Sequence, residues 1–184
     1  MSDIDYEIHK RPSYSDPSPY PEVKVVEPNL YYAQLLMDDY AGVVSEFTAI
    51  SQYLYHYFLT KKVDEKLGKL FENVSINEML HMEILSDIIV KLGGDPQIRG
   101  SFSTNNRFWN GKFIYYGDDI CEQLKADIEA EYAAIEEYRK HIRLINDRYI
   151  QAILKRIILD EKVHIKLFNK ALLEHCGCTY RDID

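Results

Sequence analysis

The chain is predicted to be all-α, a four-helix bundle with one long crossover between its second and third helices and a Pro-rich N-terminal arm. Three observations predict it. Apolar residues recur at helical spacing over four long segments. Two of the three links between those segments are short, and the third, roughly residues 93–118, is long. Five of the six prolines fall within residues 1–28, where they forbid a long helix.

The arm, residues 1–28, is read as extended, with the apolar pieces of PEVKVVEPNLYY able to pack along the domain or a neighbouring subunit. The bundle is placed at residues 29–176 and a short tail at 177–184. Helix A is expected from about Leu30 to Thr60 and helix B from about Asp64 to Leu92, ended by Gly93-Gly94. Helix C is expected from Asp118 or Asp119 to about Asn146, and helix D from Asp147 to His175, with Gly177 beyond it. The segment RFWNGKFIYY offers a small hairpin at Asn110-Gly111. Short A–B and C–D links make antiparallel hairpins. A long helix measures about 40 Å, and an extended link of that length reaches roughly 85 Å, so the B–C link can cross the bundle end to end. Helix C then runs parallel to B.

Composition narrows the function. Hydrophobic residues make up 46% and charged residues 28%, ordinary for a globular protein. A net charge of -8 without a basic run argues against nucleic acid as a partner. No stretch approaches the roughly 20 apolar residues of a membrane span. The acidic start MSDIDYEIHK does not read as a secretion signal, and a cytoplasmic protein is expected. Three cysteines make no disulfide framework. Cys176 and Cys178 are read as free thiols near solvent, too few for a closed metal site.

The chemistry lies on the buried faces. The stripe of helix B runs Leu67, Phe71, Val74, Glu78, His81, Leu85, Ile88, and that of helix D runs Ile150, Leu154, Ile157, Glu161, His164, Phe168, Leu172. Each carries a Glu-x-x-His pair where apolar residues belong, and residues three apart share a helix face. Helices A and C add one carboxylate each, Glu46 and Glu131. Glu46 and Glu78 lie equally far from the A–B turn at Lys62, and Glu131 and Glu161 equally far from the C–D turn at Asn146. Equal distance from a hairpin turn means equal height, so all six side chains meet mid-bundle. Four carboxylates there would repel and be poorly solvated. Two divalent cations balance them, and oxygen-rich ligation with two imidazoles suits iron or manganese. Two ions per chain are therefore expected.

Tyr53 and Tyr138 each follow a lone Glu by seven residues, which marks a weak internal repeat. They are read as core aromatics that also donate hydrogen bonds to ligating carboxylates or relay electrons. Asp39, Asp127 and Asp160 are read either as partners of histidine N–H groups or as solvent-facing caps and salt-bridge residues. His56 and His141 are read as edge residues, and Met79 as pointing away from the metals.

The segments SEFTAISQYLYH, INEMLHMEIL, ADIEAEYAAIEEYR and ILDEKVHIKLF resemble the four helices of the ferritin-like superfamily, with bacterioferritins, rubrerythrins and manganese catalases as relatives. By motif position the resemblance implies the ligands Glu46, Glu78, His81, Glu131, Glu161 and His164, and Tyr53 falls where bacterioferritins carry a tyrosine. Met79 falls at the bacterioferritin haem-ligand position. The arm and QLLMDDYAGVVSE resemble the start of manganese catalases and related spore-coat proteins. In that family the helix D Glu is a direct ligand in some members only. After helix D the short fifth helix of cage-forming ferritins and the rubredoxin domain of rubrerythrins are missing, so a peroxidase reaction needs an external electron donor. The leading expectation is a dinuclear iron or manganese oxidoreductase acting on hydrogen peroxide or dioxygen, as a homo-oligomer. A ferroxidase and iron store, and a structural or coat bundle with a vestigial site, are the alternatives.

Overall fold

In a computed structural model of the chain, residues 13–181 are described. Their helices are α1 (Leu30–Ala41), α2 (Glu46–Thr60), α3 (Glu65–Lys91), α4 (Ile120–Leu144) and α5 (Arg148–Cys176). Each begins on a residue whose side chain accepts a first-turn N–H: Asn29, Ser45, Asp64, Asp119 and Asp147. Such residues satisfy donors that the helix itself cannot. Gly177 ends α5 in the left-handed region, at φ 68°, as a helix C-terminus favours.

α3, α4 and α5 match expected helices B, C and D within two residues. Helix A is not continuous; it divides into α1 and α2 at residues 42–45. The cause lies across the fold. The buried Asp38 carboxylate accepts hydrogen bonds from the backbone N–H of Ser101 (2.8 Å), Phe102 (3.0 Å) and Ser103, and from the Ser103 hydroxyl (2.6 Å). The crossover is thereby pressed against Gly42, where a Cβ would sit 2.6 Å from Ser103 Oγ. Ser45 then restarts the helix, bonding the Gly42 carbonyl and the Thr48 N–H.

The crossover runs beside α2 from its first turn as far as Tyr55 and His56. The Trp109 indole donates to Thr48 Oγ1 (2.9 Å), the Tyr115 N–H to Gln52 Oε1 (2.9 Å), and the Tyr55 hydroxyl to the Tyr116 carbonyl. α4 therefore starts near the end of α2 and runs parallel to α3. The expected hairpin at Asn110-Gly111 is absent. Asn110 instead caps a 3-10 turn over Gly111–Phe113 by accepting from the Lys112 N–H, and the pairing there is limited to one bridge, Arg99 to Phe108.

Of the expected arm, residues 1–12 lie outside the described residues, as do 182–184 of the tail. Residues 16–26 contact α5: Arg156 donates to the carbonyls of Asp16 and Ser18, and Asp147 accepts from the Val26 N–H. The cysteine reading needs correction. Cys176 is bonded to Cys121, joining the end of α5 to the start of α4, and the free, exposed thiol is Cys178.

Candidate metal centre

The apolar stripes bury Phe71, Val74, Leu85 and Ile88 of α3 and Leu154, Ile157, Phe168 and Leu172 of α5. Between these layers all six predicted side chains converge, each no more than 3% exposed. Their ligand atoms form two overlapping groups: Glu46, Glu78, His81 and Glu161, and Glu78, Glu131, Glu161 and His164. Within each group the atoms lie within 4.8 Å of one another, and Glu78 and Glu161 belong to both.

The imidazoles present equivalent atoms. His81 Nδ1 lies 2.7 Å from Glu78, 3.4 Å from Glu161 and 3.6 Å from Glu46. His164 Nδ1 lies 2.8 Å from Glu78, 2.9 Å from Glu161 and 3.4 Å from Glu131. Each Nε2 faces outward, to Asp160 for His81 (3.1 Å) and to the Tyr14 carbonyl for His164 (3.0 Å). An acceptor at Nε2 holds the proton there and leaves Nδ1 as the donor atom for a cation.

The two tyrosines act reciprocally. Tyr53 of α2 donates to Glu131 of α4 (2.7 Å), and Tyr138 of α4 donates to Glu46 of α2. Two histidines repeat the exchange one layer out. His56 of α2 meets Asp127 of α4 (2.9 Å), and His141 of α4 meets Asp39 of α1 (2.7 Å). These histidines are not edge residues; they are 0% and 1% exposed. α2 and α4 bury a second face against each other, and a stripe counted along one face misses it.

Four further groups escaped the sequence reading: Arg156, Tyr20, Asn77 and Gln52. Arg156 pairs with Asp160 at 2.7 Å, Tyr20 donates to Asp160, and Gln52 donates to Asp127. Asn77 lies within 3.3 Å of both Nε2 atoms. Arg156, four residues before Asp160 on a buried face, was the one legible signal.

Burial pushes the Glu46 and Glu131 carboxyls well above the ordinary carboxylate range, and the neighbouring Glu78 charge adds to it. Burial acts on Glu78 in the same sense, but the charges of His164 and His81 overcome it and hold that carboxyl below its ordinary range. Burial works against charge on both imidazoles, yet the surrounding acids raise them. Glu78 Oε1, 2.8 Å from His164 Nδ1, has no well-directed hydrogen-bond donor. A buried oxygen whose lone pairs lack a donor, beside Nδ1 atoms aimed at the same space, fits cations better than protons. The set as a whole fits two divalent ions.

A cavity of 540 Å³ opens between α2 and α4 and reaches Glu46, Glu78, Glu131 and Glu161. Phe113, Ile114 and Tyr115 of the crossover wall one side, and alanines of α4 such as Ala130 and Ala134 leave the gap.

Asp160 offers a test of the outer contacts. Asp160→Asn keeps the shape but removes the charge behind His81. Metal affinity is expected to fall roughly 10–100-fold, measured by titrating metal-free protein with Mn²⁺ or Fe²⁺.

A family model described as the ferritin-like domain matches residues 42–176. A probable manganese catalase of Clostridium acetobutylicum is 27% identical over 169 residues, covering 82% of this chain and 74% of that protein. A bacterioferritin of Streptomyces coelicolor is 31% identical over 127 residues, covering 67% and 70%. Among solved structures, a manganese catalase from Anabaena superposes with a TM-score of 0.78 at 22% identity, over 92% of this chain and 84% of that one. A Rhodobacter capsulatus bacterioferritin superposes with a TM-score of 0.69 at 21% identity, over 86% and 100%. At these identities the superpositions speak for the fold alone. No helix among the described residues is long and apolar enough to cross a membrane.

Proposed function

The chain belongs to the ferritin-like domain family, and from that premise we propose that it is a dinuclear iron or manganese oxidoreductase that consumes hydrogen peroxide by disproportionation. One observation carries the reading: two four-residue groups share Glu78 and Glu161, the arrangement by which two carboxylates can bridge a pair of ions. Relatives that include a probable manganese catalase support it.

Glu46, Glu78 and Glu161 with His81 would hold one ion, and Glu78, Glu131 and Glu161 with His164 the other. When bound, two adjacent redox ions supply paired one-electron changes. The chain's own residues do the rest. Tyr53 and Tyr138 fix the Glu131 and Glu46 carboxylates in place. Asp160 and the Tyr14 carbonyl fix the two imidazoles. The cavity between α2 and α4 admits a small peroxide to the four carboxylates.

A second reading, iron oxidation and storage, is supported by the bacterioferritin relatives. Metal analysis of protein purified without added metal, an oxygen electrode and solution size separate the two. About two manganese per chain with oxygen released from peroxide is the expected result. About two iron, no oxygen release and a large hollow assembly favour storage. Protein that binds neither metal overturns both readings.

A further inference from the structure

The two buried Asp–His pairs are related by the internal repeat, yet they end differently. His56 places Nδ1 on Asp127 and Nε2 3.3 Å from the Tyr115 carbonyl. A carbonyl oxygen cannot take up a proton near neutral pH, so that pair is a dead end that ties the crossover to α2. His141 places Nδ1 on Asp39 (2.7 Å) and Nε2 3.3 Å from Glu137. Both of its neighbours are carboxylates, and both can accept and return a proton. Asp39 and Glu137 also line the cavity that reaches the six-residue centre. Asp39 is 2% exposed, whereas the Glu137 side chain is 27% exposed and paired with Lys140 at the surface.

We propose that Asp39, His141 and Glu137 form a proton relay from the buried wall of the cavity to its exposed edge, with His141 as the group that passes the proton. The proposal rests on the peroxide reading of the centre. In disproportionation one hydrogen peroxide is oxidised to dioxygen, releasing two protons and two electrons. A second hydrogen peroxide takes up two protons and two electrons and becomes two waters. The halves balance over a cycle but occur at different times, so protons must be parked and returned between them. An imidazole held between two carboxylates does this: it gives its proton to one side and is reprotonated from the other.

The groups facing the relay are consistent with it. Burial opposes charge on His141, but Asp39 and Glu137 outweigh it and raise the imidazole, while Lys140 acts in the opposite sense. Burial pushes the Asp39 carboxyl up to about 6, with Glu137 and Asp38 adding to the rise and His141 lowering it. The Asp39 carboxyl therefore exchanges its proton closer to neutrality than an ordinary aspartate, and the His141 imidazole keeps its proton above the ordinary histidine range.

The test compares His141→Gln, Glu137→Gln and His56→Gln in the full, metal-loaded chain by the pH profile of peroxide consumption. In the native protein turnover is expected to fall on the alkaline side as His141 loses its proton. In His141→Gln and Glu137→Gln that limb disappears and kcat drops at least about tenfold, with metal content unchanged and KM moved less than about twofold. His56→Gln keeps the limb. In metal-free protein, proton NMR of the His141 ring should show an imidazole whose titration moves to lower pH in Glu137→Gln. Glu137 is partly exposed, so its variant decides the matter if His141→Gln fails to fold. Native turnover with the alkaline limb intact in both variants overturns the relay alone. So does a change confined to His141→Gln, which a purely structural role explains. Native protein without turnover overturns the reading of the centre and the relay with it.

Discussion

Glu78→Ala should cost the protein both metal ions and also lower the melting temperature of the metal-free form. Glu78 belongs to both ligand groups, so no ion keeps its full set. Without metal, Glu78 is the carboxylate held low in pKa by two imidazoles that are themselves raised. Deleting it removes the nearest counter-charge of two buried cationic rings, which are left to share Glu161. Removing one partner of such a pair costs about 3–5 kcal/mol, or roughly 10 °C for a chain of this size. Glu131→Gln should behave oppositely. Burial, with the Glu78 charge second, raises the Glu131 carboxyl, so the metal-free protein carries it protonated and the neutral amide is a close substitute. That variant should melt near the native metal-free protein yet lose the rise given by metal, about 2.7 kcal/mol per ion at a hundredfold excess over Kd. The sign with pH follows. Acids that hold protons in the fold and release them on unfolding stabilise it at low pH, and the benefit fades as pH rises above the ordinary carboxylate range. Bound cations replace those protons and remove the slope. Thermal melts with and without Mn²⁺, beside metal analysis, check both variants; two ions retained by Glu78→Ala would sink the shared-ligand assignment.

The second large effect concerns the bond between Cys121 and Cys176, 55 residues apart. Closing a loop of that length removes chain entropy from the unfolded state worth about 4 kcal/mol in the simplest model. Reduction, or Cys121→Ser, should therefore lower the melting temperature by roughly 8–16 °C. Cys178→Ser should change it little, because that thiol is free and exposed. Melts with and without dithiothreitol read the difference, and equal temperatures for the native and Cys121→Ser proteins would dismiss the cross-link.

The convergence of the six side chains was legible because hairpin geometry turns a count along the chain into a height in the bundle. The same count nearly yields the cysteine pair. Cys121 lies twenty-five residues before Asn146 and Cys176 thirty after it, close enough in height for contact, but composition argued for free thiols. The break in helix A was not legible, since the donors that hold Asp38 lie 63 to 65 residues away. It also hid the repeat of the buried aspartates. Asp127 precedes Glu131 by four residues, one helical turn, whereas Asp39 precedes Glu46 by seven. The residues between α1 and α2 take up the difference. His56 and His141 were misplaced because their partners lie on other helices.

The clasp of Asp38 on residues 101–103 couples pieces of chain that are remote in sequence. Where a helix is unbroken, fraying at one end propagates along it. Here α1 is separated from α2 by a non-helical step and fastened to the crossover by a carboxylate that accepts from several donors. Local opening should therefore respect spatial attachment rather than chain order: α1 and the nearby crossover loosen as one cooperative block, while α2, which carries Glu46 and Tyr53, stays closed with the centre.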